Sequence, residues 1–117
     1  MALSPQQGID IALGQDGCSY TKDTSDAIKP PTNKVFVAIT MLADTVFDSS
    51  GGLISETATK FINTETAAND AADGSETATQ GSGGQVVDSV TFPKGVTIFG
   101  RWTEIDVNSG SVVAYIG

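Results

Sequence analysis

The sequence contains no histidine, and it has only one cysteine, one arginine and one tryptophan among its 117 residues. Without histidine the chain cannot build a Cys–His pair, a Ser-His-Asp triad or a histidine-ligated metal site. Because Cys18 is alone, no disulfide can form within the chain and no thiolate cluster can bind a metal. We therefore expect a protein that is not an enzyme and carries no cofactor.

Basic residues are also scarce, and the net charge of the chain is −8. Nucleic-acid binding requires clustered Lys and Arg side chains that neutralise phosphates, so we expect no nucleic-acid partner. The same acidity disfavours an anionic membrane surface, and no apolar run approaches the roughly 20 residues that span a bilayer. The first residues lack the positive start and apolar core of a signal peptide, which favours a protein made in the cytosol and not exported.

The apolar residues that are present alternate as they do in β-strands. The strongest pattern is "KVFVAITMLADTVF", residues 34–47, in which both faces are apolar, as expected of a strand that is covered on both sides. Short strands, frequent turns and the lack of a convincing helix predict an all-β fold, a small antiparallel sandwich or barrel. The chain length fits one β domain, which we place at residues 34–117.

Residues 1–33 are predicted to form an extended N-terminal arm, because they are rich in turn-forming residues and contain Pro30 and Pro31. Within this arm the stretch "GIDIALG" alternates, which is typical of a short half-buried strand. Its apolar side chains, expected to contact a partner, are Ile9, Ile11 and Leu13.

Residues 63–84 are predicted to form a long exposed loop, because their Thr, Ala and Gly side chains bury too little apolar surface to offset the entropy of ordering. The loop contains Asp70, Asp73 and Glu76, and carboxylates are the ligands that Ca²⁺ prefers. Their spacing is not that of an EF-hand, so a solvated acidic loop is the simpler interpretation. A carbohydrate- or calcium-binding surface module stays open as an alternative.

The C-terminal stretch combines the strongest hydrophobic pattern with a turn. Residues 96–107 and 111–116 are predicted to pair as an antiparallel hairpin across "NSG". The alternation changes phase at Gly100, which predicts a β-bulge at that point. Glu104 and Asp106 are two residues apart, and we interpret them as an exposed strand face rather than a catalytic carboxylate pair.

Arg101 and Trp102 are adjacent in this stretch, so on a strand they point to opposite faces. We expect Trp102 to be largely buried. Because Trp and Arg are enriched at interface hot spots, the two residues, with Phe99, are also candidates for a subunit or partner interface. The alternative for Arg101 is an ion pair with a nearby Asp or Glu.

Two stretches resemble known proteins. "FPKGVTIFGRW", residues 92–102, resembles the pattern F-P-x-G-x-T-I-x-G-R-W of small structural proteins of tailed bacteriophages, and the end "VVAYIG" is similar to their short Tyr-x-Gly tails. "VFVAITMLADTVFDS" resembles the F-x-A-I-x-x-L-x-D-T-x-F pattern of the same group. Together the stretches cover roughly a quarter of the chain.

The resemblance implies a non-enzymatic virion protein, made in the host cytoplasm and located on the capsid surface. The leading hypothesis is a capsid decoration (cement) protein, expected to be a homo-oligomer (a trimer), which bridges subunits of the major capsid protein. A tail, neck or fibre-base component of the virion is the alternative that the same resemblance allows.

Overall fold

The chain folds as a set of short antiparallel β-strands. A computed structural model describes residues 16–57, 60–65 and 84–117. In chain order the strands are β1 (Cys18–Thr21), β2 (Phe36–Met41), β3 (Val46–Phe47), β4 (Leu53–Ser55), β5 (Thr97–Ile105), β6 (Val107–Ser109) and β7 (Val112–Ile116). These three segments contain no helix, and therefore no helix that is long and apolar enough to cross a bilayer. The predicted all-β antiparallel fold is confirmed.

The strands form a larger and a smaller sheet. The larger sheet has the order β1-β7-β2-β5-β4, and the smaller sheet pairs β3 with β6. Strand β2 lies at the centre of the larger sheet, hydrogen-bonded to β5 on one side and to β7 on the other. Its sequence, "FVAITM", is apolar on both faces, and a central strand is the position in which such a sequence is best covered.

The predicted hairpin between residues 96–107 and 111–116 is wrong. Strands β5 and β7 do not pair with each other, because β2 lies between them. After β5 the chain leaves the larger sheet as β6, which pairs with β3. Gly110, with φ of 93°, then turns the chain back into the larger sheet as β7, and its backbone packs too closely against Asp44 and Thr45 for a side chain.

The predicted boundary between an arm and the β domain at residue 33 is also wrong. Strand β1 belongs to the larger sheet, where Cys18 lies opposite Tyr115. Farther along, Ile28 exchanges two backbone hydrogen bonds with Ile105, of 2.8 and 3.0 Å. Residues on both sides of the polar stretch between β1 and Ile28 are therefore bonded to the larger sheet, and the polar stretch itself is a surface loop. Ile9, Ile11 and Leu13 lie outside the described residues.

The core fills the space between the two sheets and is closed by Trp102. It joins Phe47 and Val107 of the smaller sheet to the inward side chains of the larger one. Trp102 is fully buried, and its indole N–H donates a hydrogen bond of 2.8 Å to the carbonyl oxygen of Ile62. The predicted burial of Trp102 is confirmed.

Gly100 permits this placement of the indole. The register passes from Ala38 opposite Phe99 to Phe36 opposite Trp102, so β5 has one residue more than β2 between these pairs. The predicted β-bulge at Gly100 is confirmed. A Cβ atom on Gly100 would lie 2.8 Å from the Trp102 ring, which explains why glycine occupies the bulge.

The first residues of the predicted exposed loop are not exposed. Asn63 and Thr64 are buried, and Thr64 is bonded to β4. The Thr64 N–H donates to the Leu53 carbonyl oxygen at 3.0 Å, and the Leu53 N–H donates to Thr64 Oγ1 at 3.0 Å. The beginning of the loop thus covers the outer edge of β4, while residues 66–83, with Asp70, Asp73 and Glu76, lie outside the described residues.

We predict that Trp102→Ala destabilises the protein by about 3–5 kcal/mol, because it leaves a cavity and an unpaired carbonyl group at Ile62. The matched control is Phe99→Ala, on the same strand but facing solvent, which should change the free energy of unfolding by less than about 0.5 kcal/mol. Urea denaturation monitored by circular dichroism measures both values. Equal effects of the two substitutions would contradict the assignment of Trp102 to the core.

Candidate functional site

One face of the larger sheet presents apolar and aromatic side chains to solvent. Two rows of residues cross four strands, and we call them together the outer face. One row is Cys18, Tyr115, Ala38 and Phe99, and the other is Tyr20, Val113, Thr40 and Thr97. Residues that lie directly opposite each other in antiparallel strands point to the same side, so these eight side chains share one surface.

Two aromatic residues dominate the outer face. Phe99 is 77% exposed and Tyr20 is 55% exposed, although both stand in regular strands. Ala38, between Phe99 and Tyr115, is buried, so the small residue forms the floor between two larger side chains. Large exposed aromatic residues grouped on one surface are typical of interaction sites.

The polar residues of the outer face pair with each other. The hydroxyl oxygens of Thr40 and Thr97 lie 2.9 Å apart, so one donates to the other. The two rows contain no charged residue. The outer face therefore combines apolar area with few hydrogen-bonding demands, which favours a partner that contributes apolar side chains.

Arg101 forms an ion pair with Glu56, so its guanidinium group is not free to contact a partner. Its Nε donates to Glu56 Oε1 at 2.8 Å and its Nη2 donates to Glu56 Oε2 at 3.1 Å, a bidentate arrangement. The hydrogen bond between Arg101 and Glu56 lowers the pKa of Glu56, and the same bond raises the pKa of Arg101. The backbone supports the pair, since the Glu56 N–H donates to the Arg101 carbonyl oxygen at 2.8 Å. The ion-pair interpretation of Arg101 is confirmed.

Asp106 lies among other carboxylates at the junction of the two sheets. One of its side-chain oxygens, Oδ1, is buried and has no hydrogen-bond partner among the described residues. The pKa of Asp106 is raised from the ordinary 3.8 to about 6, first by burial and then by a hydrogen bond with Asp48 and by the charges of Asp48, Asp23 and Glu104. The prediction of an exposed strand face is therefore wrong for Asp106, which follows β5 and is partly buried.

Glu104 behaves differently from Asp106, although the two are close in sequence. It lies on β5 opposite Ile54 of β4 and pairs with Lys29, whose Nζ is 3.3 Å from Glu104 Oε1. Within the described segments, no three Asp, Glu, Cys or His side chains are arranged to hold a metal ion. Glu104 is thus an ion-paired side chain, whereas Asp106 has a buried oxygen without a partner among the described residues.

Of the three predicted interface residues that the structure describes, Phe99 lies on the outer face, while Ile9, Ile11 and Leu13 are outside the described residues. Trp102 is a core residue with no surface for a partner, and Arg101 is engaged by Glu56. Tyr20 and Tyr115, which complete the outer face, were missed. Their alternation with inward residues was visible in the sequence, but only the strand order places them on the same surface as Phe99.

Comparisons with known proteins do not identify the chain: no protein-family model, no curated protein and no solved structure matches it.

We predict that Asp106→Asn stabilises the protein at neutral pH. Because the folded-state pKa of Asp106 is raised to about 6, its contribution to stability is complete below about pH 4 and is lost as the pH rises through 6. The variant should therefore match the natural protein near pH 4 and exceed it at pH 7 by roughly 1–2 kcal/mol.

Thermal and urea unfolding at a series of pH values measure this difference. Asp26→Asn is the control for the loss of one negative charge, since Asp26 is exposed. A stability difference between Asp106→Asn and the natural protein that does not depend on pH would contradict the assignment.

Proposed function

We propose that this chain is a non-enzymatic structural protein of a tailed-bacteriophage virion, most specifically a capsid decoration protein. In this role its outer face binds the major capsid protein, and the protein acts on the capsid surface as a homo-oligomer, most simply a trimer. The proposal joins the resemblance of residues 35–49 and 92–102 to phage structural proteins with the properties of the outer face.

The exposure of Phe99 is the single observation that carries the proposal. Phe99 belongs to β5, inside the stretch that resembles the phage pattern, and points away from the core while Trp102 points into it. Because Phe99 is 77% exposed, it buries little apolar area in the isolated chain and contributes little to its stability. Burying a phenylalanine against a partner contributes about 1.5–3 kcal/mol, which makes Phe99 suited to be an anchor.

The limited size of the outer face favours a partner that offers many copies of the same site. Two rows of four residues are fewer than the roughly 20–30 residues that each partner contributes to a stable interface. An oligomer that contacts several capsid subunits at once overcomes weak single contacts, because each later contact is intramolecular. The net charge of −8 adds solubility to the surfaces that face water.

We predict that the copy number per virion follows the number of capsid subunits. Quantitative mass spectrometry of purified virions measures the ratio of this chain to the major capsid protein. A fixed ratio near one copy per capsid subunit, which equals one trimer per three capsid subunits, fits decoration. A few copies per virion would support the tail, neck or fibre-base alternative, and absence from the virion would overturn the proposal.

We predict that Phe99→Glu weakens binding to undecorated capsids by about 10- to 100-fold while the protein stays folded, because a charge replaces the apolar anchor. Val90→Glu is the matched control: Val90 is also an exposed apolar residue, but it lies outside the strands. Co-sedimentation with capsids measures binding, and circular dichroism verifies folding. Equal binding by both variants would show that the outer face is not the docking surface.

A further inference from the structure

The two edges of the larger sheet differ in how they are covered. At the β4 edge, Thr64 pairs with Leu53 through two hydrogen bonds. At the β1 edge, no residue of the three described segments pairs with the strand on the side away from β7, and we call this side the open edge. An uncovered edge strand is a template for further pairing. Strand β1 contains no proline, bulge or charged side chain that would prevent it.

The register identifies which backbone groups of β1 point to the open edge. The Gly17 carbonyl oxygen accepts a hydrogen bond of 2.9 Å from the Ile116 N–H, so Gly17 is bonded directly to the chain of β7. Because backbone groups of an antiparallel strand point alternately to its two sides, Ser19 also bonds toward β7. The N–H and C=O groups of Cys18 and Tyr20 therefore point to the open edge.

We propose that β1 pairs antiparallel with β1 of a second copy of this chain, about a two-fold axis that passes beside Ser19. Cys18 of each copy then lies opposite Tyr20 of the other, and the backbone groups on the two open edges bond to each other. A shift by one residue would set Cys18 against Ser19 or Thr21, whose backbone groups point to β7, so no ladder would form. In the proposed register the two five-stranded sheets join into one continuous sheet.

Charge complementarity selects this register among those that the backbone allows. Asp16 and Lys22 lie just beyond the two ends of β1, are exposed, and form no ion pair with another described residue. The two-fold axis brings Asp16 of each copy beside Lys22 of the other. Opposite charges across antiparallel strands are stabilising. A shift by two residues would separate both pairs and place Lys22 opposite Cys18 or Asp16 opposite Tyr20.

The loop after β1 leaves the Lys22 side chain available for this contact. The carboxylate of Asp23, its neighbour, accepts hydrogen bonds from the backbone N–H groups of Ser25 and Asp26, of 2.7 and 3.2 Å. Asp23 is therefore held by its own loop and is not paired with Lys22. The ammonium group of Lys22 can accordingly bind a carboxylate of the second copy.

The side chains beside the axis permit the close approach of two copies. Ser19 faces Ser19 of the second copy in a non-hydrogen-bonded pair, where Cα atoms are about 4.5 Å apart and two small hydroxyl groups fit. On the other side of the sheet, Tyr20 lies beside Cys18 of the second copy, so a large side chain meets a small one. Both residues are exposed in the single chain, and the pairing covers part of each.

The pairing also joins the outer faces of the two copies. Residues that lie opposite each other share one side of the sheet, so both outer faces lie on the same side of the continuous sheet. The doubled surface comes closer to the roughly 20–30 residues of a stable interface. Because Thr64 covers the β4 edges, the sheet does not grow further, and a closed two-fold dimer forms rather than a fibre.

The inference goes beyond the proposed function and does not rest on it. It is tested on the free chain in solution, so its failure would leave the binding of capsids by the outer face untouched. Its success would make the homo-oligomer of the proposed function a two-fold dimer, or an assembly of such dimers, in place of a trimer.

Sedimentation velocity of the full chain at a series of concentrations measures the assembly. Contacts along one short strand are few, so we expect a monomer–dimer equilibrium with a dissociation constant of about 10–500 µM. Asp16→Lys and Lys22→Asp each set like charges opposite each other twice and should weaken the dimer about tenfold. Asp26→Lys is the matched control, because it makes the same change of charge at an exposed position away from β1, and it should alter the dissociation constant by less than about twofold.

A mixture of the two charge variants tests the register itself. An Asp16→Lys chain carries bases at both ends of β1, and a Lys22→Asp chain carries acids at both ends. In a mixed dimer both pairs are attractive, so the mixture should dimerise at least as tightly as the natural chain. The double variant Asp16→Lys/Lys22→Asp should dimerise like the natural chain. A mixture no tighter than either variant alone overturns the register.

A disulfide across the axis locates the contact independently of charge. Ser19→Cys, made in a Cys18→Ser chain, should give a covalent dimer on mild oxidation, because a non-hydrogen-bonded pair places two Cα atoms within the 4.4–6.8 Å range of disulfides. Ser25→Cys in the same Cys18→Ser chain is the control, since Ser25 lies in the exposed loop after β1. Equal yields of covalent dimer from the two variants would contradict the axis at Ser19.

Two results for the natural chain would overturn the proposal as a whole. One is a trimer in solution. The other is a monomer at every concentration up to about 500 µM, above the range expected for an interface of this size. Amide hydrogen exchange then identifies what covers β1: slow exchange at Cys18 and Tyr20 in such a monomer would show that the same chain covers the edge.

Discussion

The hydrogen bonding of β2 along both of its edges is the constraint on which the rest of the structure depends. Strands β5 and β7 are close in sequence but meet only through β2, and each continues outward to an edge strand. The edge strands β4 and β1 therefore come from distant parts of the chain. Loss of β2 would leave two separate pairs of strands with no shared core, which ties the N-terminal half to the C-terminal stretch.

The bulge in β5 separates an aromatic side chain that points to solvent from one that points into the core. Before the bulge, Phe99 points outward beside Ala38, and after it Trp102 points inward beside Phe36. Gly100 makes this possible because the indole occupies the space that a side chain would need. The core side chain and the exposed aromatic side chain are thus three positions apart, so substitutions can separate the stability of the chain from the proposed binding of a partner.

The basic side chains of the described residues form ion pairs or face solvent, whereas one acidic side chain, that of Asp106, is partly buried without an ion pair, which lowers the stability of the fold. Arg101 and Lys29 pair with Glu56 and Glu104 respectively, and surface pairs of this kind contribute little to stability. Asp106 is the exception, since its buried oxygen lacks a partner among the described residues. The protein is therefore expected to be more tolerant of mild acid than its net charge suggests, because protonation of Asp106 relieves repulsion among four carboxylates.

The sequence by itself determined the all-β class, the burial of Trp102 and the bulge at Gly100, because alternation and glycine placement are local properties of a strand. Local alternation also marked residues 9–13 as strand-like. It did not determine which strands are neighbours, and the predicted hairpin and arm were wrong for that reason. Sequence proximity favours a hairpin, but the tertiary structure inserts β2, which is hydrogen-bonded to β5 on one edge and to β7 on the other. The outer face follows from that order: Tyr20, Tyr115 and Phe99 come from separate strands, and only long-range pairing places them on one surface.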